Sequence, residues 1–518
     1  MKIRKLKALN FKRFETLDID FEDNLNVLIG DNESGKSSIL LAIDLVLSGS
    51  RSKVETLGLD SLFNFNTINN FFSSNQYSSL PQLTIEIYFS ELNDPYFHGR
   101  NNLDNTDCYG LYMVCEPKDE LSAEIIEILS QNNQNFPFEY YSISFHTFAG
   151  QAYSGFKKYF KHLLLDNTQI NNEYATKSYI KTLYNNYTSI AEKNRHSNKY
   201  RYYKNEFRER VLNDLNSKTG PFAFSIKNNS KSNLESDLTI TENDIDIDNR
   251  GKGRQCFIKT EFALQKKGTE IDFILLEEPE NHLSHSHMKK LINRINDSKN
   301  KQIFIATHNS LISTRLDLRN TTLLNSSSNK SISLKSLKED TAKFFMKAPD
   351  NNILEYILSE KVILVEGDSE YIMMNRFCEI VLKNPPEEYG IHIISVGGTS
   401  FKRYLDVAVL LDIKTLVIRD NDENYQVNCV ERYSKYLSDK IKVFSEEDNS
   451  ISTFEISMYN NNTELCEELF SKGRKTLTTL EYMLSEKADC AFRILDKKHD
   501  SIKVPQYIKN GILWLTKE

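Results

Sequence analysis

Long apolar runs are missing from this sequence. No segment approaches the roughly 18 consecutive apolar residues of a membrane span, so no membrane is expected among its partners. The start, MKIRKLKALNFKRFETLDIDF, breaks its apolar residues with Lys, Asn and Asp and offers no h-region for a signal peptide. Close cysteine pairs are missing too. The seven cysteines (Cys108, Cys115, Cys256, Cys378, Cys429, Cys466 and Cys490) form no CxxC and make an odd count, which argues against a disulfide framework or zinc site and for a reducing, cytoplasmic setting. Ten prolines and 18 glycines are too few for a collagen-like or Pro-rich linker protein. An excess of positive charge is also absent: the formal net charge of -7 excludes a protein that coats nucleic acid through overall charge, so a nucleic-acid site must be a local patch or metal-mediated.

What is present is core-forming material, including 30 Phe and 26 Tyr, in a chain of 518 residues. Single cores stop growing at about 250 to 300 residues, so two or more domains are expected. The pattern is α/β. KIRKLKALNF alternates, LNVLIG is a short apolar run, and SSILLAIDLVL has helical periodicity; residues 83–91 and 140–148 read as alternating strands. From about 157 to 217 the periodicity turns helical and the composition turns to Tyr, Asn, Lys and Arg, the mark of a helical insertion or arm. Residues 226–250 are polar and acidic, a long loop. IDFILLEE and KQIFIATH then read as strands buried on both faces. After the low-complexity stretch 325–336, KVILVEGDSE opens a second α/β unit with strands IHIISVGG and TLVIRDND. The boundaries expected are a first domain over 1–345 and a second over 346–518.

Gly30-Asp-Asn-Glu-Ser-Gly35-Lys36-Ser37 fits GxxxxGK[ST] between a strand and a helix, the context that a P-loop requires. Backbone amides from Gly30 to Ser38, Asn32 included, would wrap the phosphates of ATP. Lys36 would reach the β and γ phosphates, Ser37 would ligate Mg²⁺, and the helix N-terminus would add its dipole. Far downstream, Glu277 and Glu278 end the strand ILLEE, placing a metal ligand beside a carboxylate that polarises attacking water; Glu277 stands where many P-loop enzymes have Asp. His308, in the strand-end turn Thr307-His308-Asn309-Ser310, could sense a γ-phosphate. In this order the pieces resemble ABC-type ATPase heads of the SMC, Rad-fifty and RecF group. That resemblance puts Asn249-Arg-Gly251-Lys-Gly253-Arg-Gln255 at the signature motif, with Gly251, Gly253 and Gln255 contacting nucleotide across a dimer, although GKGRQ departs from the usual LSGGQ.

The second α/β unit carries acids at strand ends. Glu366 follows KVILV, a glycine gives the turn, Glu370 falls on the first helical turn, and Asp420 and Asp422 end TLVIR. Four acids together repel unless divalent cations, Mg²⁺ or alternatively Mn²⁺, neutralise them. EGxxE, the Val396–Phe401 segment and the later DxD look like a Toprim domain. The ATPase and Toprim patterns together resemble the OLD (overcoming lysogenisation defect) family of ATP-dependent nucleases over nearly the whole chain, most weakly over 95–245. The resemblance implies that Glu455, in STFE, helps to hold a second metal and that Lys487, in KADCAF, lies near the scissile phosphate. A site of five carboxylates has no cation of its own, which is the physical case for Lys487. Also implied are a DNA endonuclease or nickase gated by an ATPase homodimer or higher homo-oligomer, a role in anti-phage defence, and a helicase or other defence-operon protein as partner. A RecF-like clamp with a non-cleaving Toprim domain is the alternative. Tyr371, beside Glu370, is read as a packing residue rather than a nucleophile. The basic, aromatic stretch from Lys193 to Arg208 has two readings, a solvated face of a dimerisation arm or a surface for phosphates and bases.

Overall fold

The computed structural model describes residues 1–517 except 91, 93, 132–134, 156–158, 170–172, 228–232, 265–270, 299, 310, 311, 313, 314, 326–330, 349–351, 399 and 472–476. Ser310 of the THNS turn, Thr399 of the Gly-rich segment and the middle of 325–336 therefore lie outside the described residues. The chain forms two compact units, one of 1–312 with 320–331 and one of 313–319 with 332–518.

Two sheets sandwich one helix in the first unit. The antiparallel sheet holds β1 (Ile3–Phe11), β2 (Phe14–Asp20), β4 (Leu83–Phe89), β5 (His98–Gly99) and β6 (Cys108–Pro117) in the order β2-β1-β4-β6-β5, with β7 (Tyr141–Thr147) also on β6. In the other sheet, β3 (Leu25–Gly30), β8 (His162–Asp166), β9 (Phe273–Glu277), β10 (Gln302–Ala306) and β11 (Thr321–Leu324) run parallel in the order β11-β3-β10-β9-β8. Helix α1 (Lys36–Ser48) packs against strands of both sheets, which is why Ile39, Leu40 and the run Ala42–Leu47 are all buried. Its one acid there, Asp44, is held by Lys53 and by His162 Nε2 at 3.0 Å, and despite burial these partners keep its carboxyl at about 2.

Two strand readings change. Residues of β4 are buried at every position rather than alternately, because α1 packs on Leu83, Ile85, Ile87 and Phe89 while Leu103 N, which donates to Glu86, and the Phe148 ring on Tyr88 cover the opposite face. Residues 162–166, inside the stretch read as helical insertion, are instead the edge strand β8, in register with β9 from Phe273↔His162 to Glu277↔Asp166. Five residues are too short a window to show a period. The helices follow it: α2 (Glu173–Tyr187) and α3 (Ile190–Arg210), the latter started by a Ser189/Glu192 capping box and burying none of its residues.

The second unit is built on a parallel sheet of β12 (Lys361–Val365), β13 (Ile391–Ser395), β14 (Lys414–Ile418) and β15 (Ile441–Phe444), in the order β13-β12-β14-β15. Helices cover both faces, as parallel sheets require. They include α4 (Glu339–Lys347), α5 (Ile353–Leu358), α6 (Asp368–Leu382), α7 (Phe401–Leu411), α8 (Phe454–Asn461), α9 (Lys487–Lys498) and α10 (Gln506–Thr516). Helix α4, placed with the first domain from sequence, packs here: Thr341 donates to Asp406 at 2.6 Å and the Phe345 ring meets Tyr404 edge-on. No helix among the described residues is long and apolar enough to cross a membrane.

Candidate functional site

In the first unit the site grows from the carboxyl ends of β3, β9 and β10. The turn between β3 and α1 needs its glycine at 35, where φ is +96° and a Cβ would strike the Phe14 ring at 2.3 Å. Lys36 folds back over the turn and donates to the carbonyls of Gly30 at 2.7 Å and Asp31 at 2.9 Å. Burial pulls its ammonium pKa down, against the attraction of Glu278 and Asp31. Asn32 and Ser37 are exposed and Ser38 half-buried at the mouth of the turn. Ser37 hydrogen-bonds the Glu277 carboxyl, whose pKa burial raises. A hydroxyl and a carboxylate thus already meet where a Mg²⁺ on nucleotide phosphates would sit, and this donor pair fits that ion.

Beside them, the backbone of Glu278 is held to Ala306 O at 2.9 Å in the left-handed region, with φ +44°. Its Oε2 faces His308 Nδ1 at 2.9 Å. Sequence reading assigned Glu278 and His308 but left out Glu280, the buried acid that takes the hydroxyl of Thr307. Burial and the neighbouring Glu278 push Glu280 up to about 8. Asp166, at the end of β8 opposite Glu277, was also left out. The GKGRQ segment opens the helix Lys252–Leu264. Gly251 is exposed ahead of it, Gly253 lies so close to His282 O that a Cβ would meet it at 2.2 Å, and Gln255 caps Arg250 O at 2.8 Å.

The second unit gathers acids at the ends of β12 and β14. Glu366 leaves β12, and its carbonyl accepts from Gly398 N at 2.9 Å, which ties in the Gly-rich segment. Glu370, on the first turn of α6, and Glu455, on the first turn of α8, are 6% and 4% exposed. Asp420 accepts from Phe454 N at 2.7 Å, so the start of α8 docks onto the strand end. Burial and the repulsion of Glu370, Glu455 and Glu366 push Asp420 up to about 8; burial and repulsion by Glu455 and Glu366 push Glu370 up to about 7. Oε2 of Glu366 is buried with no hydrogen-bond partner. An orphaned carboxylate oxygen among mutually repelling acids is a donor set that divalent cations fit. The acids are nonetheless spread out: among the described residues only Glu278, Glu280 and His308 bring three ligand atoms within 4.8 Å of one another.

Lys487, at the start of α9, reaches Glu455 Oε2 at 3.2 Å. Burial opposes its charge, but Glu455, Asp420 and Glu370 more than offset that and raise its pKa. The expectation that these acids have no cation of their own is overturned by Arg419. Its side chain is 1% exposed and donates to Asp422 Oδ2 at 2.5 Å, Asp420 O at 2.8 Å and the Tyr433 hydroxyl at 3.1 Å. Asp422 therefore answers to Arg419 first, at φ +48° and half-exposed. Tyr371 is 44% exposed, not packed, because its neighbour Glu370 takes the inward face of α6. Behind the acids lies the buried Tyr507, its hydroxyl pKa raised by burial and by Asp420 and Glu370.

Residues 1–216 match the family of AAA ATPase domains, and residues 357–422 match the TOPRIM domain of overcoming lysogenization defect protein-like proteins. A P-loop between two sheets and strand-end acids in a parallel sheet thus accompany an ATPase-domain match followed by a TOPRIM match, domain kinds that generally use nucleotide and divalent metal. The TOPRIM match, over residues 357–422, is to the OLD-like kind. Short stretches also match curated proteins. The DNA replication and repair protein RecF of Clostridium kluyveri is 48% identical over 40 residues, which is 8% of this chain and 11% of that protein. The RecF of Oceanobacillus iheyensis is 44% identical over 52 residues, 14% of its length, so the chain spans only about a tenth of these relatives. The SMC head domain from Thermotoga maritima aligns at 15% identity and TM-score 0.32 over 64% of this chain and 97% of its own. The C-terminal region of the Burkholderia pseudomallei OLD protein aligns at 17% identity and TM-score 0.23 over 30% of this chain and 97% of its own.

Proposed function

We propose that this chain is an ATP-dependent, divalent-metal-dependent DNA endonuclease or nickase, acting in anti-phage defence in the cytoplasm. The observation that carries the reading is the gathering of buried, mutually repelling carboxylates, Glu366, Glu370, Asp420 and Glu455, at the ends of neighbouring strands and the helix starts beside them, with Lys487 reaching in from the rim. Glu366, Glu370, Asp420, Asp422 and Glu455 would hold Mg²⁺ or Mn²⁺, which supply an activated water and stabilise the leaving oxygen of the phosphodiester. Lys487 offers its ammonium to the charge that builds on the phosphate in the transition state. Arg419 keeps the Asp420–Asp422 turn in shape from below.

In the ATPase unit, Gly30, Asn32, Gly35, Lys36, Ser37 and Ser38 wrap the phosphates, with Ser37 and Glu277 toward Mg²⁺. Glu278 orients the attacking water and His308 faces the γ-phosphate. Gly251, Gly253 and Gln255 would meet the nucleotide of a second copy, which makes the working form a homodimer or larger homo-oligomer; a helicase or other defence protein is the partner to seek. The two compact units, divided near residue 332 rather than 345, carry the two activities, with the helices of 157–217 as the dimerisation arm. Supercoiled plasmid incubated with the protein, ATP and Mn²⁺ should be nicked, and EDTA should stop it. Intact plasmid under all metal and nucleotide conditions would favour the RecF-like clamp.

A further inference from the structure

Glu278, Glu280 and His308 reach one point from two strand-end turns, one after β9 and one after β10, and an atom of each lies within 4.8 Å of the others. Glu278 and Glu280 are 9% and 6% exposed, so both carboxylates are almost wholly withdrawn from water. Thr307 occupies Oε1 of Glu280, while its Oε2 is buried with no hydrogen-bond partner; Oε2 of Glu278 is likewise unsatisfied, with the His308 ring at 2.9 Å and the Glu280 carboxyl beside it. Leaving a buried carboxylate oxygen unpaired is costly unless something fills the place. A water could satisfy one oxygen. Two carboxylates and an imidazole converging on one point suit a cation with affinity for nitrogen as well as oxygen.

Mg²⁺ is a hard ion that prefers oxygen ligands and retains water, and Ser37 with Glu277 already offers it a place. An imidazole with two carboxylates is instead the donor set of Zn²⁺ and its first-row neighbours. His308 has a 60% exposed side chain, so an ion can enter from solvent and keep an open coordination position. The Thr307 hydroxyl on Glu280 would orient the ligand from behind, as outer groups do at metal sites. One charge opposes the ion: Lys36 lies within electrostatic reach of Glu278 and Glu280. That repulsion suits a site filled and emptied in use better than a permanent structural one.

We propose that Glu278, Glu280 and His308 form a transition-metal site, with Zn²⁺ as the fitting ion, whose occupancy arrests ATP hydrolysis. The ion would hold Glu278 away from the attacking water and His308 away from the γ-phosphate. The arrest rests on the ATPase reading above; the binding does not.

The test uses the full chain carrying E366Q and D420N, which removes the competing acids of the second unit. Zn²⁺ binding is measured by equilibrium dialysis without nucleotide, and Co²⁺ is followed by its visible ligand-field bands. One ion per chain should bind at this site, and His308→Gln or Glu280→Gln should weaken it at least about 10-fold and alter the Co²⁺ bands. His308 is exposed enough for its substitution to leave the fold intact, so it decides the matter if Glu280→Gln unfolds. Equal Zn²⁺ affinity in parent and His308→Gln overturns the site. In the wild-type chain, Zn²⁺ at the binding concentration should stop Mg-ATP hydrolysis; full binding with undiminished hydrolysis overturns the arrest. Binding as predicted in a chain that hydrolyses no ATP under any condition would uphold the site and sink the ATPase reading instead.

Discussion

Lys487 brings its Nζ to 3.2 Å from Oε2 of Glu455, so a half-exposed cation caps an acid that is itself almost wholly buried. A lysine so placed can turn toward a phosphate without unfolding anything. Lys487→Ala should lower DNA cleavage by about 10²-fold or more while DNA binding changes little, the pattern of an interaction made in the transition state. Lys498 pairs with Glu468 at 2.8 Å, far from the acids in its bonding, and serves with Lys497 as a control. Equal, mild losses in single-turnover cleavage for all three substitutions would reduce Lys487 to part of a basic surface.

ATP hydrolysis should depend on Lys36 and Glu278 in different ways. Lys36→Ala removes the ammonium that leans over the turn and should weaken nucleotide binding, whereas Glu278→Gln should bind ATP and retain it. Filter binding and phosphate release separate the two; wild-type turnover in both variants would dismiss the site.

The acids of the second unit predict an unusual pH response. Asp420 and Glu370, ordinarily near 3.8 and 4.5, stand at about 8 and about 7 in the fold. Between those limits the folded chain binds more protons than the unfolded one, so without metal the unit loses stability as pH rises from about 4 to about 8. Divalent ions need the deprotonated acids, so Mg²⁺ or Mn²⁺ should stabilise more at pH 8 than at pH 6. The single tryptophan, Trp514, lies in this unit and reports its melting by fluorescence. In EDTA a midpoint that climbs with pH over this range would contradict the account, as would a metal effect that survives Asp420→Asn.

Arg419 is tied to Asp422, to backbone and to Tyr433 while wholly enclosed. Arg419→Met leaves the half-exposed Asp422 to water but takes the donor from the enclosed Tyr433 hydroxyl and Asp420 carbonyl, a loss of about 1 to 3 kcal/mol. The Trp514 unfolding midpoint in urea should fall accordingly, and Mn²⁺ affinity should fall with it as the Asp420–Asp422 turn loosens. An unchanged midpoint would mean that the pairing contributes nothing.

The placement of these residues at strand ends was legible in the sequence because they follow apolar runs that cannot be mistaken: LNVLI before Gly30, FILLE before Glu278, KVILV before Glu366, TLVI before Asp420. What escaped was chemistry hidden by its own neighbours. Glu280 follows two acids that already had roles, and only the fold buries it against Thr307. Arg419 closes an apolar strand and reads as its solvated end, yet Tyr433, brought back by a later turn, encloses it. Tyr371 sits in an apolar helical run, but the phase of α6 is set by Glu370, Met373 and Met374, which turns the tyrosine outward. The edge strand β8 shows no period of its own and is defined by its register with β9.

Glu278 and Asp422 both hold backbone angles that side-chain-bearing residues avoid, φ +44° and +48°. A left-handed residue with a Cβ costs about 1 to 2 kcal/mol, and glycine is relieved of that cost. At these two positions the substitution that most eases the backbone is therefore also the one that removes a carboxylate proposed to act in hydrolysis. A lineage or a laboratory library screened for heat resistance alone would drift toward glycine or asparagine at 278 and 422 and emerge sturdier and inert. Acids that persist at both places in thermally selected descendants would be evidence that hydrolysis, rather than the fold, is what selection retains there.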